Sequence, residues 1–105
     1  MSRPKIVFYH QSGCPACAGV KPHIERLAQH YAACVDTEWR DVEEHAEEAE
    51  RWGVEAVPDI VSFDGEGQPL FRLTGYIESI QRCNRIYAAT VKAAADSCRV
   101  DAFRP

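Results

Sequence analysis

Ser12-Gly13-Cys14-Pro15-Ala16-Cys17 holds two cysteines three residues apart, and what flanks this stretch decides how the chain is read. Before it stands Lys5-Ile6-Val7-Phe8-Tyr9-His10, β-branched and aromatic with a continuous apolar centre, the pattern of a strand covered on both faces. After it, Val20, Ile24, Leu27 and Tyr31 recur at spacings of four, three and four within residues 18–31, which predicts a helix packed on a sheet by one apolar stripe. A thiol at the start of that helix faces unsatisfied backbone N–H groups and the positive end of the helix dipole. Cys14 is therefore expected to have a lowered pKa and to be the exposed nucleophile. Cys17 follows nearly one turn later on the same side, placed to attack a mixed disulfide formed at Cys14. Pro15 suits the first helical turn, which needs no N–H donor from it, and it fixes the backbone beside the nucleophile.

A lone C-x-x-C also fits two inert core cysteines or part of a zinc site. A closed structural zinc site takes four ligands, and His10, at H-x3-C-x2-C spacing, supplies only a third. The strand-then-helix context favours the redox reading. His10 sits at the strand end four residues before Cys14, where its imidazolium would stabilise a thiolate or its neutral form take a proton; a solvated loop histidine is the plain alternative.

With 105 residues, 46% hydrophobic and 27% charged, the chain has the make-up of one soluble domain, residues 1–105. A formal net charge of -4 with no cluster of Lys or Arg argues against nucleic acid or an anionic membrane as partner. The N-terminal apolar run, Ile6 to Tyr9, is too short for a signal-peptide core or a membrane span, so a cytoplasmic location is expected; a monomer is expected as well. In a reducing compartment the five cysteines are not expected to form structural disulfides.

Further along, Pro22 interrupts the first helix and predicts a kink. His23 and His30 flank its apolar stripe and read as solvated. Val35, Thr37 and Trp39 alternate within residues 33–42, a second strand, with Cys34 as a small buried residue at its start. Asp41 and Glu44 have capping-box spacing and predict a short helix through Trp52, with Gly53 closing it. Glu43, Glu44, Glu47, Glu48 and Glu50 would form its solvent face, and Ala46, Ala49 and Trp52 its inner face. Pro58 leads directly into a strand, Asp64-Gly65-Glu66-Gly67 is a turn, and residues 70–73 are the second arm of a hairpin. A last helix over residues 77–98 carries Ile80, Cys83, Tyr87, Val91, Ala94 and Cys98 on one face. Cys83 and Cys98 would stand roughly 22 Å apart along it, beyond disulfide reach, and both read as core. Residues 99–105 are left as an uncommitted tail.

The predicted order is strand, C-x-x-C helix, strand, helix, hairpin, helix. At this point the chain resembles the thioredoxin/glutaredoxin superfamily, over nearly its whole length. Cys14-Pro15-Ala16-Cys17, the proline eight residues after the nucleophile at Pro22, Trp52-Gly53-Val54-Glu55-Ala56-Val57-Pro58, Phe63-Asp64-Gly65 and Gly75-Tyr76 carry the resemblance. It implies an α/β thioredoxin-like fold, βαβαββα, with a four-stranded mixed sheet flanked by helices. It implies a thiol-disulfide oxidoreductase with no cofactor beyond a redox-active Cys14–Cys17 disulfide, and no metal. Partners would be disulfide-containing proteins and an electron donor, either a reductase or glutathione. The Val57–Pro58 peptide would be cis, and Val57, Pro58 and Gly75 would shape the substrate groove, with backbone groups of Val57 pairing an extended substrate segment. His10 and Pro15 would tune the nucleophile.

Departures from the pattern accompany the resemblance. Phe8 stands where thioredoxins carry a buried acid, Trp39 where a lysine accompanies it, and Gly13 where a tryptophan precedes the nucleophile. Ala56, Gln11 and Gly75-Tyr76-Ile77-Glu78 differ from the glutathione-binding pattern of glutaredoxins. Two further readings follow: a glutathione-linked, glutaredoxin-like reductase, or a metal-binding or structural domain without enzyme activity.

Overall fold

A computed structural model describes residues 2–104. Its elements are β1 (Lys5–His10), α1 (Pro15–His30), β2 (Asp36–Asp41), α2 (Ala46–Arg51), β3 (Asp59–Phe63), β4 (Pro69–Thr74) and α3 (Tyr76–Ala94). The four strands form one mixed sheet in the order β2-β1-β3-β4. β1 runs parallel to β2, as a helical crossover demands, and antiparallel to β3, while β3 and β4 make the hairpin.

The continuous apolar run of β1 is explained by cover on both faces. Ile6 and Phe8 join Ile60 beneath α1 (Val20, Ile24, Leu27) and α3 (Cys83, Ile86, Tyr87). Val7 and Tyr9 point the other way, onto Val61, Phe63 and Trp52. The stripe on α1 is buried as its spacing requires, and each such side chain contributes roughly 1.5–3 kcal/mol of transfer free energy. Helical assignment runs unbroken through Pro22, whose ring is solvent-exposed.

Several elements differ from the sequence reading, each for a local reason. Asp41 does not open a helix. Its carboxylate accepts from the Glu43 N–H at 2.8 Å and its carbonyl from those of Glu44 and His45, which makes a turn that competes with helix formation. α2 therefore starts only at Ala46, from a His45 cap that makes no side-chain bond. Ala46 is exposed rather than inward, whereas Glu48 turns in, accepting a hydrogen bond from the Tyr9 hydroxyl at 2.8 Å. Burial and that bond push the Tyr9 phenol well above its ordinary range, so it stays a neutral donor. His30 is half-buried, with its ring edge-on to Tyr31 and Phe103.

The largest correction concerns Cys34 and Cys98, read from sequence as separate core residues in a chain without structural disulfides. They are bonded to each other across 64 residues, with Cα atoms 5.8 Å apart. Because α3 ends at Ala94, Cys98 is not on its apolar face. It lies on a tail that turns back under the far end of α1, where Val100 and Phe103 pack on the core and Asp101 accepts from His30. The tail is thus part of the packed structure through Phe103, and Pro105 lies outside the described residues. Cys83 alone remains a free thiol among the described residues; burial pushes its pKa up, which keeps it inert.

Candidate active site

Cys14 is the N-cap residue of α1, and Pro15 occupies the start of the helix without wasting a donor. The backbone reaches that cap through Gly13 at φ +76°, a left-handed conformation in which a side chain would be strained. This accounts for glycine directly before the nucleophile position. The Cys14 sulfur accepts the Cys17 backbone N–H at 3.0 Å, so a helix-terminal donor faces the sulfur that would carry negative charge. The two sulfurs are joined as a disulfide. Cys14 is half-buried, while Cys17 is 5% exposed, so an incoming group meets Cys14 first.

On the β3 side stands the segment before the strand. The Val57–Pro58 peptide is cis. Pro58 is buried and Val57 half-buried, packed on the same core as Cys14. Gly75, at φ +86°, donates its N–H to the Pro58 carbonyl at 2.9 Å, which brings the start of α3 against the proline. On the β2 side, a cleft of about 410 Å³ opens beside both cysteines, with Phe8, His10 and Trp39 among its walls. The His10 ring stacks on Phe8 with centroids 5.9 Å apart. Among the described residues no group of three or more His, Cys, Asp or Glu could hold a metal ion, and no helix is long and apolar enough to cross a membrane.

A family model described as a thioredoxin-like domain matches residues 2–89. The chain belongs to this family. Thioredoxin from Methanocaldococcus jannaschii is 34% identical over 61 residues, 58% of this chain and 72% of that protein. Thioredoxin from Alicyclobacillus acidocaldarius is 28% identical over 74 residues, 70% of each. The X-ray structure of Fasciola hepatica thioredoxin superposes with a TM-score of 0.73 at 25% identity, covering 85% of this chain and 82% of that one. The four-stranded mixed sheet with its helices is the thioredoxin-like fold, and by class the chain is a thiol-disulfide oxidoreductase.

Around this thioredoxin-like site the structure gives roles that the sequence reading did not assign. Tyr76 lies across α1 so closely that a Cβ on Gly19 would meet its ring at 3.1 Å. Tyr76 and Ile77 are 43% and 65% exposed, an apolar rim beside Gly75. The sequence reading had Gly75-Tyr76 as part of the resemblance, but not the packing of Tyr76 on α1 or the exposure of Ile77.

Arg72 is the residue that sequence reasoning missed. Its guanidinium grips Asp59, the residue after the cis-proline, with Nε at 3.0 Å from Oδ1 and Nη2 at 2.6 Å from Oδ2, and Nη1 donates to the Trp52 carbonyl at 2.6 Å. One side chain thus ties together both ends of the segment that carries Val57 and Pro58. Burial lifts the Asp59 carboxyl above its ordinary value of 3.8, and the bonds and charge of Arg72 pull it partly back. With the folded value above the unfolded one, the contribution of Asp59 is fully present below the unfolded value and lost as pH rises through the folded value. Arg72→Ala removes the downward pull and deepens that loss at neutral pH. The expected cost is about 2 kcal/mol at pH 7, below that of a fully buried pair because the Arg72 side chain is 36% exposed. The cost should shrink once Asp59 is protonated in both proteins. Urea melts of the two proteins at pH 7 and near pH 3 check this; an equal difference at both would mean that Asp59 is not its source.

Proposed function

We propose that this chain reduces or exchanges disulfides of protein substrates through the Cys14/Cys17 dithiol, with Val57, Pro58 and Gly75 shaping the groove where substrate lies. The observation that carries the reading is the half-buried Cys14 sulfur at the cap of α1, facing the Cys17 N–H. In the reduced protein, the Cys14 thiolate attacks one substrate sulfur. A Cys14–substrate disulfide forms, the substrate's own disulfide breaks, and the leaving thiolate takes a proton from water or His10. The Cys17 thiolate then displaces the substrate sulfur and closes Cys14–Cys17. Two electrons pass to the substrate, and a reductase or glutathione restores the dithiol.

Pairing of an extended segment with main-chain groups of the half-buried Val57 would give broad tolerance of substrate sequence. A monomer acting in the cytoplasm fits this cycle. There, Cys34–Cys98 would persist only with a potential below about -300 mV.

Equilibrating the protein in graded thiol/disulfide buffers, and counting trapped thiols by mass, tests the reading. A Cys14–Cys17 disulfide with a potential near about -270 mV supports a reductant, and one near about -120 mV an oxidant of other thiols. If no Cys14–Cys17 disulfide forms in any buffer, the reading fails. In the same samples, His10→Gln is expected to move the pH midpoint of Cys14 alkylation upward. An unchanged midpoint removes His10 from the mechanism.

A further inference from the structure

The disulfide has two flanks, and the cycle above uses only one. Since β1 lies between β2 and β3, the Val57–Pro58 segment borders Cys14 on the β3 side, while the cleft of about 410 Å³ lies on the β2 side. Neither Val57 nor Pro58 lines it. Its floor is aromatic: Phe8 and Trp39 meet edge to face with centroids 5.1 Å apart.

The rim is charged in a set order. Cys17, Lys21 and Glu25 follow one another at intervals of four along α1 and all line the cleft. The Lys21 ammonium sits 5.9 Å from the Trp39 ring centroid. Among the described residues it has no carboxylate partner within ion-pair distance. Glu25 closes the end away from the disulfide. An occupant therefore meets, in sequence, the reactive sulfur, an aromatic floor and an unpaired cation. The volume is at the small end for ligand pockets and suits a side chain or two rather than a folded surface.

We propose that this cleft is a second substrate subsite, taking an aromatic side chain next to the substrate's disulfide-bonded cysteine, with an adjacent acidic residue set against Lys21. The proposal rests on the oxidoreductase reading and names the substrate class for that same site. The aromatic ring packs against the half-buried Trp39, which the buried Phe8 backs edge-on from the core, and the carboxylate meets the ammonium at the rim. Selectivity then comes from this side, while the main-chain pairing at Val57 stays tolerant of sequence. Such a division gives preference among disulfides without changing the chemistry at Cys14.

Two cystine-bridged peptides, identical except for Phe-Asp or Gly-Ser beside one cysteine, test the proposal by their ratio of kcat/KM. The ratio should favour Phe-Asp by about tenfold. It should fall toward one in Trp39→Leu, fall partly in Lys21→Gln, and decline with added salt, since a rim charge is screened. Calorimetric titration of the Cys14→Ser protein with the same peptides, reduced and alkylated, reads the subsite without chemistry. This keeps the proposal testable whatever the turnover. Tighter binding of Phe-Asp that is lost in Cys14→Ser/Lys21→Gln supports it. Equal turnover and equal binding of the two peptides would overturn the subsite and leave the oxidoreductase reading standing. No turnover of either peptide, with binding preference intact, would sink that reading and leave the subsite.

Discussion

Cys14→Ser is expected to lower disulfide reduction by at least about 10³-fold, since the attacking atom itself is removed and no other accessible thiol stands at the site. The serine hydroxyl can still cap α1 by accepting the Cys17 N–H, so the fold should persist and the loss report on chemistry alone. Cys17→Ser separates the two steps. Its Cys14 still attacks, but nothing resolves the product, so a mixed disulfide with substrate should accumulate to one equivalent. Mass spectrometry of the acid-quenched reaction reads this directly, and circular dichroism verifies that both variants are folded. A Cys14→Ser protein with undiminished turnover would move the reaction away from α1, and Cys83 is too buried to inherit it.

Loss of the Cys34–Cys98 bond is expected to give the largest change in stability. The bond spans 64 residues, and closing a loop of that length in the unfolded chain removes entropy worth about 4 kcal/mol at 25 °C in the chain-entropy treatment. Its removal also unpins the tail that carries Val100 and Phe103, which pack on the core beside α1. Cys34→Ala/Cys98→Ala should therefore melt about 20 °C below the wild type. Reductant supplies the control. It should lower the melting temperature of the wild type toward that of the double variant, while the variant moves only by whatever Cys14–Cys17 contributes, a bond that closes a loop of sequence separation 3. Equal melting temperatures for oxidised wild type and variant would show that the tail is held by packing alone.

The site and its fold were legible unevenly, and the differences are physical. β1, the C-x-x-C helix, the hairpin and most of α3 are local patterns: a continuous apolar run, a 3.6-residue stripe, a Gly-rich turn. Each survives in isolation because it depends on the spacing of near neighbours. The capping reading at Asp41 failed although it too was local, since one carboxylate can cap a helix or close a turn with equal ease. Here the Asp41 carboxylate takes the Glu43 N–H and its carbonyl those of Glu44 and His45, which closes the turn. Glu48 shows the same limit: a glutamate on a helix surface reads as solvated until a tyrosine from β1 arrives beneath it.

The nature of the chemistry was contained in the chain itself, in two cysteines at the start of a helix after a buried strand, with a proline between them and another before β3. Spacing and helix-end electrostatics are properties of short segments, so they can be read without coordinates. What required the folded chain were relations between distant segments. The meeting of Cys34 with Cys98, the grip of Arg72 on both ends of the Val57–Pro58 segment, and the cleft of Phe8, Trp39 and Lys21 beside the disulfide all join residues from separate elements. Such contacts follow from the crossover of α1, the order of the sheet and the return of the tail, and no local periodicity encodes them.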